Sequence, residues 1–246
     1  MKTFNTIMNS CNRGCSYCYL GKDMPEDRAA FERSIAYLTK MFQPETISTL
    51  VNGGFDQARL FVMAKAYPGI QIYIGHDQLR EPGMLDYFKQ DVFATSKFFI
   101  SRFMLEKEAD LEWLRLEDRV TLVHVLGTHA QNGSIVAANV TMSKIALHYV
   151  LFEFPYSIKE YTPAVLSFAH LMRHNPKKII NFDLCYRKAT GRLTVWEGVD
   201  PSLEIHPDGK IRFCDYTGEM YDPTKMSREE IIEAGKICNK CPYLKP

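Results

Sequence analysis

Thr3-Phe-Asn-Thr-Ile-Met8, then Asn9-Ser10, then Cys11-Asn-Arg-Gly-Cys15-Ser-Tyr-Cys18 is the stretch on which the fold turns. Thr3–Met8 mixes apolar and β-branched side chains and reads as a strand. The cysteines follow directly, spaced C-x3-C-x2-C. Gly14 suits a loop that must wrap tightly. On the residues alone, a zinc knuckle or three free thiols compete with an iron–sulfur site. Zinc sites, however, favour four ligands in C-x2-C pairs. Three thiolates on a four-iron cubane leave one iron open to chelate another ligand.

Outward from this loop the chain alternates between two hydrophobic periods. Further strands are expected at Thr46–Val51, Ile70–Ile74, Phe98–Phe103, Val120–Leu126 and His148–Phe154. Between them the spacing predicts helices over Glu26–Phe42, Asp56–Tyr67, roughly Glu81–Phe88, Glu106–Leu116, Ser134–Leu147 and from Thr162 to about His174. The first carries Phe31, Ile35, Leu38 and Phe42 on one face, with Pro25 suiting its first turn. Strands each followed by a helix imply a parallel sheet. The fold class expected is α/β, an open or partial (β/α)6 barrel, since a full eightfold barrel takes about 250 residues for itself.

After Pro176 the pattern changes. Lys178–Leu184 reads as a strand, Leu203–Phe213 as a hairpin turning at Asp208-Gly209, and Ser227-Arg-Glu-Glu230 as a capping box opening a short helix. The chain then reaches Cys238-Asn-Lys-Cys241. Residues 1–177 are expected to form the main domain and 178–246 a small C-terminal α+β domain.

Thirty basic residues against 29 acidic ones give a formal net charge of +1, with no run of like charge, so no strong nucleic-acid signal is present. No apolar run approaches the ~18 residues of a membrane span. The opening MKTFNTIMNS lacks the apolar core and cleavage site of a signal peptide. The expected location is cytoplasmic. There, seven cysteines read as metal ligands or free thiols rather than a disulfide framework.

The cysteine loop after strand one closely resembles that of the radical S-adenosylmethionine superfamily. The resemblance implies a [4Fe–4S] cluster on Cys11, Cys15 and Cys18 that chelates S-adenosylmethionine through its open iron. It further implies reductive cleavage to a 5′-deoxyadenosyl radical, which abstracts a substrate hydrogen. An external low-potential donor such as flavodoxin or ferredoxin would supply the electron. Tyr17 would lie near the adenine. The superfamily's Gly-Gly-Glu motif, which binds the cosubstrate amino group, corresponds to Gly53-Gly54-Phe55, so the glutamate is missing and Asp56 or backbone carbonyls would take its place. Ser101 would bind the ribose. His124 and Glu153, polar residues within apolar strands, are further candidates for contact with cosubstrate or substrate.

The remaining Cys185, Cys214, Cys238 and Cys241 resemble a Twitch domain, the shortened SPASM domain, with G-x4-C running from Gly209 into Cys214. This implies an auxiliary [4Fe–4S] cluster; structural zinc on the same four thiolates is the alternative. Cys185 stands further upstream of Gly209 than the common pattern has it. The chain begins at strand one, without the leader-peptide-binding domain of many peptide maturases. The expected substrate is therefore a small or nucleotide-like molecule, and the auxiliary cluster, able to take an electron from a substrate radical, implies oxidation or cross-linking as the outcome. A peptide-modifying maturase is the alternative, and a non-catalytic metal-binding protein on the same fold is the last.

Overall fold

The structure, a computed structural model, describes residues 1–10, 24–51, 56–101, 119–126, 147–152, 179–182, 203–214 and 218–236. The chain divides into two compact units, one of residues 1–73, 91–96 and 195–245, the other of 74–90, 97–194 and 246.

In the first unit β1 (Thr3–Ile7) pairs in parallel with β2 (Thr46–Val51), from Thr3↔Thr46 to Ile7↔Leu50. The connection holds α1 (Arg28–Phe42), whose buried residues are Phe31, Ser34, Ile35 and Leu38. Its packing face is the one the 3.6-residue period predicts. The Phe42 ring meets Phe4 edge-on, with centroids 6.3 Å apart, so α1 covers the sheet face that carries Phe4 and Thr6. The helix starts two residues later than the sequence suggests. Asp27 has extended backbone and accepts from the Ala30 N–H at 2.9 Å, which makes it the N-cap and leaves Pro25 and Glu26 outside. A second crossover holds α2 (Gln57–Ala66), capped by Asp56, whose Oδ1 accepts from the Arg59 N–H at 3.0 Å.

The expected hairpin is present as β8 (Leu203–Ile205) and β9 (Ile211–Arg212), antiparallel to each other. β8 also lies parallel to β1, with Phe4↔Leu203, Asn5↔Glu204 and Thr6↔Ile205. The turn seats against the start of α1: the Asp27 N–H donates to the Pro207 carbonyl at 3.0 Å. Gly209 has φ +80°, and a Cβ there would stand 2.6 Å from the Ala30 carbonyl carbon. Downstream, the 3-10 turn Pro223–Lys225 packs on α1, and the Tyr37 hydroxyl donates to the Met226 carbonyl at 3.1 Å. The last helix described, α5 (Arg228–Ala234), opens on the predicted box: Ser227 Oγ accepts from the Glu230 N–H at 3.2 Å, and Glu230 Oε2 accepts from the Ser227 N–H at 2.7 Å.

In the second unit β4 (Lys97–Ser101), β5 (Val120–Leu126), β6 (Leu147–Phe152) and β7 (Ile179–Phe182) form a parallel array with neighbours in that order. β3 (Gln71–Gly75) runs from the first unit into the second. The helix expected over roughly Glu81–Phe88 is shorter, α4 (Met84–Phe88), and a separate short helix not expected from the sequence, α3 (His76–Leu79), precedes it. Pro82 lacks an N–H, and Gly83 is left-handed at φ +82°, so no continuous helix can cross them. Phe88 packs edge-on against Phe98, with centroids 5.2 Å apart.

Parallel strands in both units, with the helical crossovers α1 and α2 in the first, make the chain an α/β protein. The three later helices expected between 106 and 174, and the domain boundary at 177/178, lie outside the described residues. Among the described residues no helix is long and apolar enough to cross a membrane.

Candidate functional site at the roots of the cysteine loop

Because β1 and β2 are parallel, the segments that follow them leave at the same end of the pair. Ligands of α/β sheets gather at that carboxyl end. Residues 11–23 follow β1 and 52–55 follow β2. Cys11, Cys15, Cys18, Tyr17, Gly53 and Gly54 therefore lie outside the described residues, while the roots of both loops lie inside them.

The first root is a carboxylate clamp. Glu26 Oε1 accepts from the Ser10 N–H at 2.6 Å and from Ser10 Oγ at 2.7 Å. It thus ties the residue before Cys11 to the chain returning from the loop. The Ser10 hydroxyl, then its N–H, hold the Glu26 carboxyl below its usual range; slight burial opposes them and the Arg59 charge adds to them.

Arg59 is the second root. Its Nη1 donates to the Met8 carbonyl, and its guanidinium lies 4.3 Å from the Phe31 ring centroid. Only 7% of the residue is exposed, yet among the described residues its buried Nε and Nη2 have no hydrogen-bond partner. Orphaned donors on a buried cation cost about 1–3 kcal/mol or more and call for an acceptor. Burial, then the nearby Arg28, push the guanidinium pKa down, while Glu32, Asp56 and Glu26 hold it up.

Asp56 faces two partners: besides capping α2, its Oδ2 lies 3.7 Å from Arg28 Nη1. In the second unit Ser101 ends β4, half-buried and in register with Val123; His124 follows in β5, in register with Val150. Glu153, next in sequence after β6, lies outside the described residues. So do Cys185, Cys238 and Cys241. Cys214, half-buried, stands two residues beyond the end of β9. Among the described residues no group of three or more His, Cys, Asp or Glu is arranged to hold a metal ion.

With this geometry the chain has a solved counterpart. Native anSMEcpe with bound AdoMet and Cp18Cys peptide aligns at TM-score 0.60 and 12% identity, covering 99% of this chain and 84% of that one. The two share a fold. No protein-family model matches the chain, and no curated protein matches it.

Two groups escape sequence reasoning. Arg59 precedes Met63 by one helical repeat, so a charge on the apolar stripe of α2 was its only signal. The other is a buried network on the sheet face opposite α1. Glu204 Oε1 accepts from Arg212 Nη2 at 2.5 Å and lies 2.7 Å from His206 Nε2, with all three residues buried. Burial alone would raise the Glu204 carboxyl, but the His206 bond and the Arg212 charge hold it below its usual range. By register Glu204 shares a row with Asn5 and Ser48, and Ser48 Oγ donates to Asn5 Oδ1.

Proposed function

We propose that this protein is a radical S-adenosylmethionine enzyme acting on a peptide or protein. One observation carries the reading: Cys11, Cys15 and Cys18 follow β1, in a fold shared with a protein whose solved structure holds AdoMet and a peptide. The bound peptide of that protein favours the peptide reading over the small-molecule one.

The residues fit the cluster. Three thiolates in C-x3-C-x2-C spacing supply an anionic, soft donor set that leaves one iron open, and the orphaned Arg59 donors at the loop's root suit an anionic occupant. When bound, the cluster supplies one electron to cleave S-adenosylmethionine and open the way to hydrogen abstraction. The chain's own task is binding and orientation. The Glu26–Ser10 clamp and the Arg59–Met8 bond hold the loop's entry. Gly53 and Gly54 let backbone approach the cosubstrate, Asp56 is available to its amino group, Tyr17 to the adenine and Ser101 to the ribose. His124 and Glu153 would face cosubstrate or substrate. Residues 1–177 would form the catalytic domain and 178–246 a Twitch-like domain, with a second cluster on Cys185, Cys214, Cys238 and Cys241.

Anaerobic reconstitution, followed by an assay for 5′-deoxyadenosine with dithionite as reductant, tests the reading. Wild type should release 5′-deoxyadenosine, and the triple alanine variant of Cys11, Cys15 and Cys18 should release none. A cluster-loaded wild type that binds S-adenosylmethionine but never cleaves it would favour a non-catalytic metalloprotein. Cleavage stimulated by nucleotides or sugars and not by peptides would return the substrate to the small-molecule class.

A further inference from the structure

We propose that Arg59 is a positioning residue of the three-thiolate site: Nη1 holds the chain at Met8, and Nε and Nη2 donate to the anionic cluster unit seated by Cys11, Cys15 and Cys18. The proposal rests on the radical S-adenosylmethionine reading and deepens it. Arg59 is 7% exposed and its Nε and Nη2 are buried, so water does not satisfy them. Its bonded carbonyl, on Met8, stands three residues before Cys11. Its own N–H is capped by Asp56, the residue directly after 52–55. The side chain thus stands where both loops begin or end.

The nearby carboxylates are engaged elsewhere. Glu26 Oε1 serves Ser10, Asp56 Oδ1 caps the helix, and Glu32 Oε1 takes Arg28 Nε at 2.9 Å. The Phe31 ring occupies the guanidinium's face. What the described residues leave without a partner is its side fork, the two roughly parallel N–H bonds of Nε and Nη2. Such a fork takes two neighbouring anionic acceptor atoms, as a ligating thiolate and the adjacent sulfide are. A lysine would keep the charge and lose the fork.

Full-length wild type, Arg59→Lys and Arg59→Met are reconstituted anaerobically and compared without S-adenosylmethionine. The readouts are loss of the loop cluster to a chelator and the midpoint potential of the cluster whose paramagnetic signal Cys15→Ala removes. The expected result for Arg59→Met is cluster loss about tenfold faster and a midpoint shifted to more negative potential, because the reduced, more anionic form loses a nearby cation. Arg59→Lys should restore the potential but not the retention, and it decides the question alone if the methionine variant does not fold. Potential and retention unchanged in a folded variant with a lowered melting temperature would reduce Arg59 to a structural tie on Met8. An effect that emerges only after S-adenosylmethionine is added would overturn the cluster as acceptor. A wild type that takes up no cluster sinks both readings; a loaded wild type with unaltered Arg59 variants sinks this one alone.

Discussion

Glu26 and Arg59 act on the same short piece of chain, Met8–Ser10, with opposite charges and different exposure. Glu26 is open to water, so Glu26→Gln should cost about 1 kcal/mol or less. The sign of its pH dependence follows from the depressed carboxyl. The contribution is fully present above the unfolded glutamate value of about 4.3 and is lost as pH falls through the lower folded value. Denaturant midpoints of wild type and variant should therefore differ by a constant amount above about pH 5.5 and converge below 4. A difference that grows on acidification would contradict the clamp. At Asp56, cap and charge separate cleanly, because asparagine caps as well as aspartate. Asp56→Asn should leave stability within about 0.5 kcal/mol, while binding of S-adenosylmethionine to the loaded protein weakens about tenfold if the carboxylate receives the amino group. Unchanged affinity would assign that group to backbone carbonyls.

At the scale of elements, the β8–β9 hairpin is fitted to α1 through a glycine. Gly209→Ala would face both a left-handed backbone and a backbone clash at Ala30, whereas Gly218, at φ +70°, has nothing within 4 Å of its added Cβ. Gly218→Ala should cost about 1 kcal/mol, the left-handed penalty alone. Gly209→Ala should cost about 3 kcal/mol or more, since the hairpin must lift off the helix. Urea titration of both variants checks this, and equal costs would mean the turn does not seat on α1. The hairpin and α5 were legible because turn chemistry and a capping box are local. The first residue of α1 was not, because Pro25 suits a first turn, whereas in the structure Asp27 is the N-cap and Glu26 lies outside the helix, bonded to Ser10.

For the molecule as a whole, metal content tests the two-cluster proposal. Reconstituted wild type should carry about eight irons per chain and the triple alanine variant of the first loop about four; four irons with one zinc in the wild type would remove the auxiliary cluster. The Glu204 network belongs to this scale too, since β8 meets β1 across some two hundred residues of chain. Glu204→Gln leaves Arg212 and His206 buried beside a neutral amide and should cost about 3 kcal/mol, read from denaturant unfolding. A loss below about 1 kcal/mol would mean the network is open to water.

Most described strands, the packing face of α1, the hairpin and the α5 cap follow from local sequence, because periodicity, turn residues and caps act over a few residues. Local sequence also supplied the ligand set of the proposed cluster, since soft thiolates at fixed spacing carry their chemistry with them. The roles of Arg59, Glu204 and Arg212 emerge from packing between distant segments. Glu204 and Arg212 stand in a hairpin that reads as a solvated face, Leu203-Glu-Ile-His206 alternating like any surface strand, and Arg59 is a lone charge on the apolar stripe of α2. Burial comes from strands and helices distant in sequence: β1 beside β8, and Phe31 and Met8 around the guanidinium. A charge costs little in water and much when buried, so its meaning is set by neighbours that local sequence does not name.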